Sequence, residues 1–130
     1  MVTYSSQTKR FVLNFHGLGK PSVRVPSEEK PYWVDVSVFI AILDMVQGRE
    51  DVLVTFDDGN ESDFEFALPS LKARKMTAKF FVSVGQLDKK EFLSLKQLGL
   101  LADSGMTIGS HGVRHCAWTD LSDANLRTER

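Results

Sequence analysis

A chain of 130 residues, 42% hydrophobic and 25% charged, has room for one domain with a genuine core and little room for two. Sixteen basic residues against seventeen acidic ones leave a formal charge of −1, which excludes the broad basic footprint of a nucleic-acid or anionic-membrane binder. One cysteine, Cys116, rules out an internal disulfide. No stretch approaches a membrane span and polar residues 1–10 lack a signal-peptide core, so the cytoplasm is the default location if Met1 is the native start.

Phe11-Val12-Leu13-Asn14-Phe15 predicts a first strand, ending in His16-Gly17. Ser22 to Tyr32, with Pro21 just before it and Pro26 and Pro31 inside, reads as an irregular surface loop. Val36, Phe39, Ile40, Leu43 and Val46 recur at helical spacing until Gly48 stops the run. Val52 to Phe56 predicts a second strand that runs into Asp57-Asp58-Gly59. Phe64, Ala67, Leu68 and Leu71 form a second helical stripe, and Pro69 inside it predicts a kink or a late helix start. Lys79 to Val84 predicts a third strand ending in Gly85. Phe92, Leu95, Leu98 and Ala102 make a third stripe, closed by Ser104-Gly105. Met106-Thr107-Ile108 is a short strand before Gly109-Ser110-His111, and Asp120-Leu121-Ser122-Asp123 reads as the entrance to a fourth helix. The second and third strands are nearly continuous in apolar character, as strands covered on both faces would be.

Alternating strands and helices imply an α/β fold with a mainly parallel sheet or barrel and helices outside it. Reactive groups in such folds gather at the C-terminal strand ends. Asp57 and Asp58 follow the second strand and His111 follows the fourth. Neighbouring strand residues point to opposite faces, so two adjacent carboxylates can take different tasks, one binding a cation and the other free as a base. Gly59 lets the backbone turn sharply there. The ordinary reading is a helix entrance capped by Asp58 or Asn60.

His111-Gly-Val-Arg-His115 places two histidines four residues apart, the spacing at which both imidazoles reach one metal at about 2.0–2.1 Å. Two solvated loop histidines are the ordinary reading. One Asp and two His make a sound three-ligand set, and imidazole favours Zn2+-like ions, with Co2+ or Ni2+ as substitutes. That preference weighs against a Mg2+-dependent phosphoryl-transfer site.

Other residues carry weaker signals. His16 reads as a turn histidine satisfied by backbone groups, although its strand-end position also suits a site. Cys116 follows His115 and suits a semi-buried thiol better than a fourth ligand. Trp33 and Trp118 suit burial or sugar stacking. Arg114 suits either an acid partner or solvent, and Gly17-Leu18-Gly19-Lys20 misses the spacing of a phosphate-binding loop. Glu28, Glu29, Asp88 and Glu91 read as solvated faces.

Taken together, Thr55-Phe56-Asp57-Asp58-Gly59 and His111 to His115 resemble the T-F-D-D-G and H-(Ser/Thr)-x-x-H motifs of the polysaccharide deacetylases of carbohydrate esterase family four, which include chitooligosaccharide deacetylases. Leu68-Pro69-Ser70-Leu71, Ala78 to Val82 and the strand ending in His16 extend the likeness. The resemblance implies that residues 1–130 form one domain, the N-terminal part of a distorted (β/α) barrel with about four βα units. It implies a metal-dependent hydrolase that removes N-acetyl groups from an acetylated carbohydrate, with Asp57 as general base and Asp58, His111 and His115 as metal ligands. Gly112 stands where Ser or Thr is common, which predicts tuning rather than loss.

The family's later motifs, an Arg-x-Pro-Tyr groove segment, an Asp/Trp groove wall and a Leu-x-His general-acid segment, are not found in this sequence. A C-terminally truncated domain is therefore expected, binding metal weakly and turning over substrate poorly. It would expose a barrel edge through which chains self-associate. The competing expectations are a non-catalytic remnant or partner subunit that keeps the metal cluster, and an O-acetyl esterase or small-amide hydrolase on the same fold.

Overall fold

A computed structural model describes residues 9–112. His115, Cys116, Trp118, Arg114 and the predicted fourth helix lie outside the described residues.

Four strands, β1 (Phe11–Phe15), β2 (Val52–Asp58), β3 (Lys79–Val82) and β4 (Thr107–Ser110), pair in parallel in the order β1-β2-β3-β4. Three helices connect them: α1 (Val36–Val46), α2 (Leu68–Ala73) and α3 (Leu95–Asp103). Parallel neighbours need a crossover between them, and right-handed crossovers between consecutive strands put every helix on one face. One core cluster accordingly holds Phe39 and Leu43 of α1, Leu71 of α2 and Leu101 of α3 with Phe15, Phe56 and Phe80 of the sheet.

The register explains how that core is built. Phe15, Phe56 and Phe80 are partners across β1, β2 and β3, so their rings line up on one face. Phe56 stacks on Phe80 at 4.7 Å and on Phe15 at 5.5 Å between centroids, and Phe39 meets Phe15 edge-on at 5.0 Å. The other face carries Asn14, Thr55, Lys79 and Thr107 in register, with the Asn14 amide donating to the Thr55 hydroxyl at 2.8 Å. Lys79 and Thr107 are exposed. Burial on both faces therefore describes most of β2 but not β3, where Phe80 and Val82 are buried while Lys79 is exposed and Phe81 half-buried.

At Pro69 the expected late helix start takes a particular form, and two other boundaries differ from the sequence reading, each for a local reason. Pro69 lacks an N–H and its ring crowds the carbonyl four residues back. The chain widens into a π-helical turn over Asp63–Ala67 and becomes α-helical only at Leu68. α3 starts at Leu95 rather than at Phe92, because Ser94 and Gln97 form a reciprocal capping box. Phe92 instead sits in a loop bridged to Asn60. β3 stops at Val82 and a 3-10 turn, Val84–Gln86, follows it. Among the described residues no helix is long and apolar enough to cross a membrane.

Candidate active site

The parallel register brings the ends of all four strands to one edge of the sheet. His16 follows β1, Asp57 and Asp58 close β2, Ser83 follows β3 and His111 follows β4. The turn out of β2 begins one residue earlier than Gly59. Asp58 already has φ 81° and Gly59 has φ 79°. Aspartate tolerates this left-handed backbone better than most residues, at a cost of about 1 kcal/mol. Neighbouring loops hold the turn in place. The Ser83 N–H donates to the Asp58 carbonyl at 3.2 Å, and the Leu93 N–H donates to the Gly59 carbonyl at 2.9 Å. A Cβ at Gly59 would meet Val82 Cγ1 at 2.7 Å, so only glycine lets β2 and β3 end this close together.

The two carboxylates go to different neighbours. Asp57 Oδ2 lies 3.9 Å from His16 Nε2. Asp58 Oδ1 lies 3.3 Å from His111 Nε2, and the Asp58 side chain is buried. His111 is held by its own backbone, its N–H donating to the Val82 carbonyl at 2.8 Å. The helical turn begins after Ser62 rather than directly after Asp58 or Asn60. Ser62 leads the π-helical turn without a side-chain cap, and its hydroxyl accepts from the Leu18 N–H at 3.0 Å.

Two donors each about 2.0–2.2 Å from one tetrahedral ion stand about 3.3–3.5 Å apart. The Asp58–His111 separation of 3.3 Å matches that spacing, and a carboxylate oxygen with an imidazole nitrogen is a suitable donor pair for zinc. Among the described residues no group of three or more acids, histidines or cysteines is placed to hold a metal; His115, the other expected ligand, lies outside them.

The sequence reading missed two residues here. His16 is not simply a turn histidine: its ring stacks on Tyr32 at 5.2 Å and its Nε2 faces Asp57. The signal was its position at a strand end. Asp63, one turn beyond Asp58, is fully buried, and neither of its oxygens has a hydrogen-bond partner among the described residues. Burial pushes its pKa well above the ordinary carboxylate value, with repulsion from Asp58 and then Asp57 adding to it. No apolar run or motif marked it. Of the acids read as solvated faces, Asp88 is exposed and Glu91 is half-buried, and both also make structural contacts. Asp88 accepts from the Leu95 N–H at 2.9 Å and Glu91 accepts from the Ser22 hydroxyl at 2.8 Å.

Asp63 makes stability depend on pH. Its folded-state pKa lies above the unfolded one, so the folded chain keeps a proton that the unfolded chain releases near pH ~4. The unfolded state binds fewer protons there, and stability falls as pH rises. Asp63→Asn in chelator-treated protein is expected to melt higher than the parent at pH ~7, with the gap closing as pH falls below ~4. Parallel melting curves for both proteins across that range would show that Asp63 carries no such burden.

Residues 45–130 match the polysaccharide deacetylase family model. The candidate polysaccharide deacetylase YxkH of Bacillus subtilis (strain 168) is 32% identical over 78 residues, covering 60% of this chain and 28% of that protein. IcaB from Ammonifex degensii is 29% identical with a TM-score of 0.66, over 82% of this chain and 54% of that one. The Streptococcus pyogenes deacetylase PplD, solved with acetate, shares the fold at a TM-score of 0.77 and 22% identity, over 93% of this chain and 64% of that one. The chain thus spans only part of the length of each relative.

Proposed function

Since the chain belongs to the polysaccharide deacetylase family, we propose that its strand-end acids and histidines hydrolyse acetamido groups on an N-acetylated poly- or oligosaccharide. The observation that carries this reading is the Asp58–His111 pair at 3.3 Å, set beside a second carboxylate, Asp57, that faces a different histidine. Asp58 and His111 would hold the metal, with His115 as the third ligand expected from the sequence. When bound, a divalent ion such as Zn2+ supplies Lewis-acid polarisation of the acetyl carbonyl and of water.

An amide carbonyl is a poor electrophile and water a poor nucleophile, so the protein must assist both. Asp57 takes the proton from water as its oxygen attacks the acetyl carbon. The carbon–nitrogen bond then breaks as the amide nitrogen takes up the proton held by Asp57, leaving the sugar amine and acetic acid, which ionises to acetate. Asp57 is partly exposed, so water reaches it, while Asp58 is withdrawn into the protein. His16, anchored by its stack on Tyr32, orients the Asp57 carboxylate.

Acetate release from a panel of chito-oligomers, acetylated xylan and small cyclic amides tests the proposal. Release from the chito-oligomers that appears on adding Zn2+ and disappears with a chelator is the expected result. Zn2+-dependent release from acetylated xylan alone would transfer the reading to an O-acetyl esterase. Zn2+ binding without release from any substrate would leave a non-catalytic metal-binding domain.

A further inference from the structure

Among the described residues, Asp58, Lys75, Asp88 and Glu91 are the non-glycine positions with left-handed backbone. Lys75 has an ordinary reason, since it follows the C-terminal cap of α2. The other three meet around one turn. Asp88 has φ 65° and Glu91 has φ 73°, and a glutamate gains nothing locally from that conformation. Such angles persist where surrounding contacts over-determine them, and they gather at functional sites.

The contacts show what the strained segment holds. The Glu61 N–H donates to the Glu91 carbonyl at 2.9 Å, Asn60 and Phe92 form an antiparallel bridge, and the Leu93 N–H donates to the Gly59 carbonyl at 2.9 Å. Residues 91–93 therefore run antiparallel against residues 59–61, directly behind Asp58. Leu93 is fully buried, which anchors the strip in the core. Asp88 fixes its start, donating its own N–H to the Leu93 carbonyl at 2.9 Å and accepting from the Leu95 N–H at 2.9 Å.

The Glu91 side chain reaches a second loop. Its carboxylate accepts from the Ser22 hydroxyl at 2.8 Å, in the loop that follows β1. The same loop brings Tyr32 onto the ring of His16, which faces Asp57. The Glu91 backbone thus supports the turn that carries Asp58, and its side chain supports the loop behind the partner of Asp57.

We propose that Glu91 is a positioning residue that keeps Asp58 and Asp57 in fixed relation by tying the two loops together. Its task toward the two aspartates rests on the deacetylase reading, but its coupling of the loops does not.

Amide hydrogen exchange of the full protein in chelator-containing buffer, followed by NMR, reads the coupling. Zn2+ titration and the acetate assay read the positioning. Glu91→Gly suits the left-handed backbone and removes only the carboxylate, whereas Glu91→Gln keeps an oxygen that can accept from Ser22. Ser22→Ala removes the donor from the other side, and the Leu18 N–H bond to Ser62 still holds that loop. Ser22→Ala and Glu91→Gly are expected to lower protection of the Glu61 and Leu93 amides roughly three- to tenfold. Zn2+ affinity and acetate release are expected to fall about tenfold, as when a support to a ligand is lost. Melting in chelator should stay close to the parent's, and Glu91→Gln should restore all three readouts.

Unchanged protection in both variants would overturn the proposal. So would lost protection with parental Zn2+ affinity and acetate release, or a Glu91→Gln that fails as Glu91→Gly does. A parent protein that neither binds Zn2+ nor releases acetate would sink the deacetylase reading, while exchange at Glu61 and Leu93 would still decide whether Glu91 couples the loops.

Discussion

Asp58→Asn is expected to weaken Zn2+ binding and acetate release by more than about a hundredfold, because even the loss of a residue that merely supports a ligand costs 10–100-fold. Asparagine is the informative substitution. Asp58 adopts φ 81°, a backbone that asparagine tolerates and alanine does not. The turn and its bonds from Ser83 and Leu93 should therefore survive. What disappears is the negative charge facing His111 Nε2 at 3.3 Å. Calorimetric titration with Zn2+, run beside the acetate assay, checks both effects. A variant that folds, binds Zn2+ as the parent does and still releases acetate would remove Asp58 from the site.

The neighbouring residue should behave differently. Asp57→Asn is expected to lower the rate of acetate release by about 10²–10⁴-fold, the usual contribution of a general base, while Zn2+ affinity stays close to the parent's. The reason is geometric: Asp57 faces His16 at 3.9 Å and not the Asp58–His111 pair. Two adjacent aspartates would then separate binding from chemistry. Equal loss of Zn2+ binding in both variants would mean that the carboxylates share one task, and the assignment of Asp57 as base would fall.

Much of this arrangement was legible in the sequence because local signals and burial agree. Phe11 to Phe15 carries two phenylalanines and a valine and runs into His16-Gly17, and the strand occupies that span. Val36 to Val46 carries its apolar stripe on one face, and Phe39 and Leu43 are buried by it. The placement of Asp57, Asp58 and His111 at one sheet edge followed from strand alternation and needed no tertiary detail. Signals failed where a cap or a contact outranked the stripe. Phe92 has the right spacing for α3, but the Ser94–Gln97 capping box fixes the start three residues later. Pro69 signalled a break without saying that the chain would resolve it as a π-helical turn.

The contacts of His16 and Asp63 were not legible, since both depend on which loops meet across the sheet edge. A strand-end histidine has no partner in one dimension. His16 acquires Asp57 and Tyr32 only when β1 pairs with β2 and the loop after β1 returns over the edge. Asp63 is written as one more acid after Asp57 and Asp58. Its burial comes from packing of the π-helical turn, a feature without sequence periodicity of its own.

The central claim is that Asp58 and His111 ligate one divalent ion beside a free aspartate. Anomalous diffraction at the zinc edge, from crystals of the protein grown with Zn2+, tests it most directly. The account predicts a single peak about 2.0–2.2 Å from both the Asp58 carboxylate and His111 Nε2, with Asp57 outside the ligand shell. A peak bound to other residues, or density showing Asp58 and His111 turned away from a common ion, would contradict it.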